Sequence, residues 1–577
     1  MNPYVRKAIP VLAMLALCLS ATADAAKRKA KDLLQYIPAD TPYVFAYTKP
    51  FPDQLMDKFD PMIDQTLDAY RRIIRHELST KLVQMSADED ASEDAVKLQA
   101  TVEEFLTLFS VQGLRDAGMG RGSLMAIYGD GVLPVARIAL TDADAFAAAI
   151  DRIEAKSGEK LPVGTIGRES YRYFDADEMR VIVATIGKDA VFALVPATYT
   201  EERLRQTLGL SKPRNSLSRT KDLRKIAKEY GFTDHLVSYI NVERFADAFL
   251  GDVNGANTDL LAVLEYDPGS LSDTCRAEFS QLAGIAPRIV AGYTEVSNAA
   301  LRMSMVVELR EDIAAGLAAV PAAVPGLGPD LGGLFSFGVG MDPLAMRNFY
   351  EARLDAMEAE PFECEHLAEL QGGVASGRAA LAQPVPPVVY SFRGLLANLT
   401  GLEGMDLATE TPPTSVDASV LFAVDNAEGL VTMAAMMSPE IAALNLLPDG
   451  KARKLDLPQI ATVAQEAFAA LSDNGLSISL GEGSERNAEA MLQADVAESK
   501  PFVSMSMDAA KYYELIGEVM MEQEQEHDEE GEEVPLAVRT AMRDIMVLNG
   551  SLYERMLMNV HLTERGVEID SRMTLAD

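Results

Sequence analysis

Val44-Phe45-Ala46-Tyr47-Thr48-Lys49-Pro50, near the start of the chain, has a counterpart in Phe337-Gly338-Val339-Gly340-Met341-Asp342-Pro343. Each reads as a short apolar strand running into a helix opened by proline, whose fixed φ suits the first helical turn. Three further pairs recur in the same order. Ile138-Ala139-Leu140-Thr141-Asp142 parallels Phe422-Ala423-Val424-Asp425-Asn426, a strand followed by a polar cap and an amphipathic helix. Leu236-Val237-Ser238-Tyr239-Ile240-Asn241 parallels Phe502-Val503-Ser504-Met505-Ser506-Met507, and both run into helices that end at Leu250-Gly251 and Ile516-Gly517. The alternation of Leu301, Met303, Met305, Val307 and Leu309 parallels Val567, Ile569, Ser571, Met573 and Leu575. The offset between the first three pairs falls from 293 to 284 to 266, so the earlier member carries the insertions. Conserved order under a one-way drift is the mark of an internal repeat. The expectation is two tandem copies of one α+β unit, residues 38–312 and 331–577, joined by an Ala/Pro/Gly-rich linker over 313–330.

Within a copy the local patterns agree with one another. Residues 55–76 and 96–109 carry helical periodicity, while 180–184 and 190–195 alternate as strands. A helix is expected after Thr200, with Glu201 and Glu202 in the first turn where the helix dipole favours anions, and another at Ser484-Glu485. Strands around 289–296 and 301–309 close the copy. Sequential strands with one apolar face imply a mostly antiparallel sheet covered by helices.

The 577 residues, 48% of them apolar, exclude wholesale disorder. With 52 basic against 87 acidic side chains the net charge is −35 and the pI near 4.6, which argues against general binding to nucleic-acid phosphates.

The N-terminus has the form of an export signal over residues 1–25. Arg6 and Lys7 precede a short apolar run over 8–19, and Ala21-Thr22-Ala23-Asp24-Ala25-Ala26 offers Ala-x-Ala cleavage after Ala23 or Ala25. That run is too short to span a bilayer, which takes about 20 residues. Leu15-Ala16-Leu17-Cys18 resembles a lipobox, but Leu17 stands where a small residue is required, so lipid anchoring at Cys18 is disfavoured. The expected address is periplasmic. Removal of Cys18 leaves Cys275 and Cys364, for which an oxidising compartment favours a disulfide over two buried thiols. Such a bridge would restrict the unfolded chain by about 4 kcal/mol in the chain-entropy model.

Ile37-Pro38-Ala39-Asp40-Thr41-Pro42 resembles the Pro-Ala-Asp-Thr start of a bacterial exported family known as a domain of unknown function. So does Ala139-Leu140-Thr141-Asp142-Ala143-Asp144-Ala145-Phe146 with its Ala-rich helix, followed by residues 167–173 and a strand pair. The resemblance covers much of the first copy. It implies an exported α+β domain and carries over no catalytic residue.

Reactive constellations are sparse. The five histidines, His76, His235, His366, His527 and His561, have no ligand spacing such as His-Glu-x-x-His. Cys364-Glu365-His366 reads as a disulfide half beside a surface histidine. Gly481-Glu482-Gly483-Ser484 faintly resembles a phosphate cradle, yet it lacks a third glycine and Glu482 would repel phosphate, so a tight turn with Ser484 as N-cap is expected. Met303-Ser304-Met305, Met505-Ser506-Met507 and Met556-Leu557-Met558 offer soft thioethers to Cu(I). Their strand periodicity places them instead on a core face, where methionine fills irregular space. No metal or other cofactor is expected.

Charge is unevenly distributed. Arg203, Arg205, Lys212, Arg214, Arg219, Lys221, Arg224, Lys225 and Lys228 form a basic island interrupted only by Asp222. Solvated helix faces explain it, and a patch for anionic lipid or an acidic partner is the sharper alternative. The acidic run over 522–533 lacks the central glycine and ligand alternation of an EF-hand and reads as a solvated loop. The expected function is therefore a non-catalytic binding or interaction protein of the bacterial envelope. The alternative is a carrier or chaperone for an apolar ligand, lipid or lipoprotein, held between sheet and helices.

Overall fold

The computed structural model describes residues 30–86, 92–158, 160–251, 255–404, 413–455, 464–522 and 536–576. The expected signal segment, Cys18 and His527 lie outside the described residues, as does nearly all of the acidic run.

The chain is α+β, with antiparallel strands throughout the described ladders, and it forms two compact units that are each discontinuous in sequence. Unit 1 comprises Met1–Ser272, Phe279–Met303 and His527–Leu552; unit 2 comprises Asp273–Glu278, Ser304–Glu526 and Tyr553–Asp577. The helix Leu536–Leu552, late in the chain, thus belongs to unit 1, and the first residues of helix Asp273–Ala283 belong to unit 2.

The strands in chain order are β1 Tyr43–Tyr47, β2 Met125–Asp130, β3 Leu133–Ala139, β4 Val163–Ile166, β5 Glu169–Ala176, β6 Met179–Ile186, β7 Asp189–Pro196, β8 Val237–Asn241, β9 Arg288–Val296 and β10 Ala300–Glu308. There follow β11 Phe335–Gly340, β12 Phe392–Glu403, β13 Ser415–Val424, β14 Arg453–Lys454, β15 Ala467–Ser472, β16 Gly475–Leu480, β17 Val503–Asp508, β18 Tyr553–Thr563 and β19 Gly566–Leu575. Unit 1 pairs them as β4-β5-β6-β7-β3-β2-β1-β8-β9. Unit 2 pairs them as β14-β15-β16-β13-β12-β11-β17-β18-β19. In both, the opening strand sits between the second strand and the strand that enters after the long helical excursion.

Unit 1 is covered on both faces at its centre. Over one face, helices Asp53–Ser86, Ser92–Leu106 and Ala143–Ser157 bring Leu67, Leu98, Phe105 and Phe146 onto Met125, Ile138 and Phe192. The apolar spacing predicted for residues 55–76 and 96–109 is what these helices bury. Helix Leu536–Leu552 packs along Asp53–Ser86, with Ala541 fully buried and Arg72 paired to Asp544 at 2.8 Å.

The opposite face holds a charge. Arg137 of β3 is 0% exposed, and its Nη1 donates to Asp189 Oδ2 at 3.1 Å. Nη2 donates to the carbonyl of Leu208, the C-cap of helix Glu201–Thr207, at 2.6 Å. The guanidinium lies 4.1 Å over the ring of Tyr36. Gly209 has φ +77°, and a Cβ there would come within 2.4 Å of Arg137 Nη2, so glycine is needed on both counts.

Unit 2 is closed differently. Residues 313–330, expected as a linker, are folded: Ile313 and Ala314 lie in helix Glu311–Ala318, and Val320, Val324 and Leu327 are buried. Val324 and Leu327 pack with Leu396, Leu421, Ala423 and Met491. Close approach is possible because the strands beneath present small side chains. A Cβ on Gly338 would lie 2.6 Å from Leu327 Cδ1, and Ser336 meets Ser506 at 2.7 Å between hydroxyls. Ser506 also donates to Asp330 at 3.1 Å, and Arg555 bonds that carboxylate.

This corrects the expected facing of the methionines. Ser504 and Ser506 are buried on one side; on the other, Met507 is buried as expected, while Met505, Met556 and Met558 are only half-buried. Met505 lies opposite Met558 and Met507 opposite Met556, with Phe335 and Phe337 on the next strand. The strands and the shared face are as the spacing implies; the deeper face was taken by serine and glycine because the overlying segment needed the room. Phe45 and Phe337 likewise point to the more open face of each unit, one residue out of step with the sequence pairing of Val44 with Phe337. A one-residue slip in a strand exchanges its faces.

Cys275 and Cys364 form a disulfide, with S–S 2.08 Å and Cα–Cα 4.7 Å. Beside it, the Glu278 carboxylate accepts from the backbone N–H groups of Glu363 and Cys364 at 2.8 and 3.0 Å. No described helix is long and apolar enough to cross a membrane.

Arg137→Met leaves Asp189 charged, buried and without its guanidinium, which costs about 3–5 kcal/mol. The double variant Arg137→Met/Asp189→Leu should recover a large part of that loss, read as urea midpoints followed by a probe in unit 1; a double variant as unstable as the single one contradicts the pairing.

Candidate functional site

Unit 1 contains a polar cleft of about 460 Å3. Five separate stretches of chain form it: residues 38–42, the β2–β3 turn, helix Glu201–Thr207 with Pro213, helix Val242–Leu250 and helix Gly255–Val263. Its size is that of an ordinary small-molecule site.

Each wall is fixed by side-chain bonds to backbone. Thr41 is buried; its hydroxyl accepts from Gly129 N at 3.0 Å and lies 2.8 Å from the carbonyls of Tyr43 and Gly129. Arg244 Nη1 donates to the carbonyls of Ala39 and Thr41 at 3.1 and 3.3 Å, which holds the entering segment against helix Val242–Leu250. Tyr239 donates to the Thr41 carbonyl at 3.2 Å, and burial pushes its phenol up to about 12. At the β2–β3 turn, Asn257 Oδ1 accepts from Val132 N at 3.0 Å. Gly131 there has φ +61°, and a Cβ would lie 2.2 Å from that same oxygen.

The electrostatic centre is Arg203. Thr200 caps its helix by accepting from Arg203 N, as the sequence pattern predicts. The guanidinium lies 4.0 Å from both Asp130 and Asp259, too far for a hydrogen bond to either. Nη1 donates to Gln206 at 3.0 Å, while Nε and Nη2 are enclosed between these carboxylates and Tyr199. The Tyr199 ring lies 5.5 Å from the guanidinium; burial, reinforced by Asp130 and opposed by the charge and hydrogen bonding of Arg203, holds its phenol well above the ordinary value. Asp130 itself is oriented by Thr207, whose hydroxyl donates to it at 2.5 Å. Thr207 is 2% exposed, so it positions the carboxylate and is not presented to a ligand. Asp40, Asp130 and Asp247 share the cleft lining with Arg203 and Arg244, so both signs of charge border one space.

The basic island is divided by the structure. Arg203 turns into the cleft, Arg205 pairs with Glu201 at 3.4 Å, and Lys212 bonds Gln35 and lies over the Tyr36 ring. Helix Asp222–Tyr230 buries Leu223, Ile226 and Ala227 and leaves Arg224, Lys225 and Lys228 exposed; Lys225 pairs with Asp222 at 2.9 Å. Arg214, Arg219 and Lys221 are exposed beside it, with Arg219 bonded to the Arg214 carbonyl. Arg203 is thus the one member of the island that the structure places in the cleft lining.

Elsewhere the sequence candidates are absorbed by local structure. Ser484 occupies the N-cap position but makes no cap bond, a correction to its expected role. Gly483 N donates to the Glu466 carboxylate at 3.2 Å, so the would-be phosphate cradle already holds an anion of the protein. Cys364 is in the disulfide, and His366 is exposed near Glu365. Among the described residues no three His, Cys, Asp or Glu side chains converge as a metal site. Asp130, Arg244 and Asn257 were not singled out by sequence reasoning; Asp40 was quoted only within the Pro-Ala-Asp-Thr resemblance, and the Asp130-Gly131 turn signal was the other local hint.

No protein-family model, curated protein or solved structure matches the chain.

His235 makes a second point about unit 1. It is buried, stacked on Phe51 with centroids 5.7 Å apart, and its Nδ1 lies 3.1 Å from Thr233 Oγ1 while Nε2 has no partner among the described residues. Burial, with Lys49 adding, lowers its pKa below the ordinary 6.5. A histidine depressed in the folded state supports stability above its unfolded value and loses that support as pH falls through the folded one. Urea midpoints should therefore drop as pH is lowered from 6.5, and His235→Gln should flatten that decline; an unchanged slope in the variant contradicts the assignment.

Proposed function

We propose that this chain is a non-catalytic binding protein of the bacterial envelope, exported by its N-terminal signal, whose unit 1 cleft takes a small polar ligand bearing both signs of charge. The observation that carries this reading is Arg203, a partly exposed guanidinium in the wall of a 460 Å3 cleft that meets its nearest carboxylates, Asp130 and Asp259, only at 4.0 Å. A ligand carboxylate or phosphate that reaches the exposed part of this guanidinium gains a charge-assisted bond. Asp40, in the same lining, suits an amine. Duplication of one α+β unit accounts for the strand order that the two units share. The disulfide is in keeping with an oxidising compartment.

The carrier alternative draws on a different surface. Phe337 is 41% exposed on the more open face of unit 2, beside Met505, and a flexible sulfur-rich face suits apolar cargo. The cleft in unit 1, lined by charge, does not suit it.

Native mass spectrometry of protein purified gently from envelopes separates the two. Adducts of small-molecule mass that disappear in Arg203→Gln support the cleft. Lipid-sized adducts that survive Arg203→Gln and disappear in Phe337→Asp support carriage. A bare mass for the unaltered protein counts against both.

A further inference from the structure

Helix Ala427–Met437 of unit 2 follows strand β13 and is capped by Asn426, which accepts from Gly429 N. It buries one residue, Ala427. Its last two turns carry Met433, Met436 and Met437, which are 49%, 82% and 84% exposed. Positions i, i+3 and i+4 share one helix face, with Cβ atoms about 5–6 Å apart. Three unbranched side chains at that spacing can bring their sulfurs to a common point above the helix.

Apolar contact alone does not account for the choice of residue. Leucine forms helix equally well and supplies similar apolar area, and the feature common to these three positions is sulfur. The thioether is a soft, neutral donor suited to Cu(I), and it needs no deprotonation to bind, unlike cysteine or histidine. The position adds a second attraction. The C-terminal end of a helix carries partial negative charge and unfilled carbonyls, which favour a cation. No basic residue occupies this last turn, so the position normally used by Lys or Arg is left open. Beyond it, Glu440 adds a carboxylate close to the helix end, and the chain as a whole is strongly acidic.

The geometry points to Met433, Met436 and Met437 as a surface site for one soft monovalent cation, Cu(I) or its analogue Ag(I), held by three thioethers at the C-terminal end of helix Ala427–Met437. The site is distinct from the Met-x-Met strands, whose methionines are half-buried or buried on the sheet. It binds the ion without redox change. Hard divalent cations are not accommodated, because three neutral sulfurs offer them neither charge nor oxygen.

Titration of the full mature protein with Ag(I), followed by methyl resonances of 13C-methionine-labelled chain, tests the assignment. The resonances of Met433, Met436 and Met437, identified by single leucine variants, should shift together and saturate first, at one equivalent. In competition with a chromophoric Cu(I) chelator, M433L/M436L/M437L should lose that equivalent while far-UV circular dichroism and the thermal midpoint stay unchanged. M436L alone should weaken binding by about tenfold or more, since one of three ligands is gone. Equal binding by the triple variant and the unaltered protein overturns the site. So does a first equivalent that shifts other methionines and leaves these three unmoved, the result expected if the patch serves only for apolar contact.

Discussion

A guanidinium without access to water organises unit 1. Arg137 ties β3 to β7 through Asp189, and it holds the last carbonyl of helix Glu201–Thr207 through Leu208. That helix supplies Arg203 to the cleft and Thr207 to Asp130. The position of the cleft's electrostatic centre is thus set by an ion pair on the far side of the same short helix. A charge this deep is tolerated only with its partners in place: a carboxylate, a carbonyl and the face of Tyr36. Tyr128, wholly buried nearby, has its phenol raised above the ordinary value by burial, with Arg137 acting in opposition. Conformational freedom is removed where it would matter, since Gly209 sits in the left-handed region directly against the guanidinium.

Much of this architecture was legible in local pattern. Strand alternation located β6 and β7 to within two residues, and Thr200 with Glu201 and Glu202 announced a helix start that the structure shows capped. These are properties of neighbours in sequence, where period and capping chemistry operate. The cleft was not legible, because Asp40, Asp130, Arg203, Arg244 and Asn257 come from five stretches brought together only by the sheet. Nor did spacing reveal which face of β17 is deeper. Alternation says that Ser504 and Ser506 share a side opposite Met505, and ordinarily the apolar side is the buried one. The overlying segment at Val324 and Leu327 reverses that order by requiring small side chains beneath it. A composition rich in Ala, Pro and Gly reads as a linker for the same reason that it makes a close-fitting strap. Helix Leu536–Leu552 is the clearest non-local case: nothing in its periodicity tells that its apolar face belongs with Asp53–Ser86, hundreds of residues earlier.

The two units share a strand order and differ in what covers them. Unit 1 uses long helices over Met125, Ile138 and Phe192 and a charged clamp on the other face. Unit 2 uses a buried strap, serine and glycine strands, and a disulfide between Cys275 and Cys364. Helix Ala143–Ser157 in unit 1 buries Phe146 and Ala149, whereas Ala427–Met437 after the corresponding strand of unit 2 leaves its methionines in water. The same strand order thus accompanies a polar cleft in one unit and exposed thioethers in the other. On the proposed reading, function resides in these differences while the shared sheet provides rigidity.

The central claim is that Arg203 awaits a ligand anion. Its side-chain Nε–Hε resonance, followed by 15N NMR while a low-molecular-weight fraction of envelope extract is added, examines that claim at the atom concerned. The account predicts that this resonance moves on ligand addition, and that the backbone amides of Gly129 and Gly131 move with it. An Arg203 signal that stays in place while resonances remote from the cleft respond would contradict it.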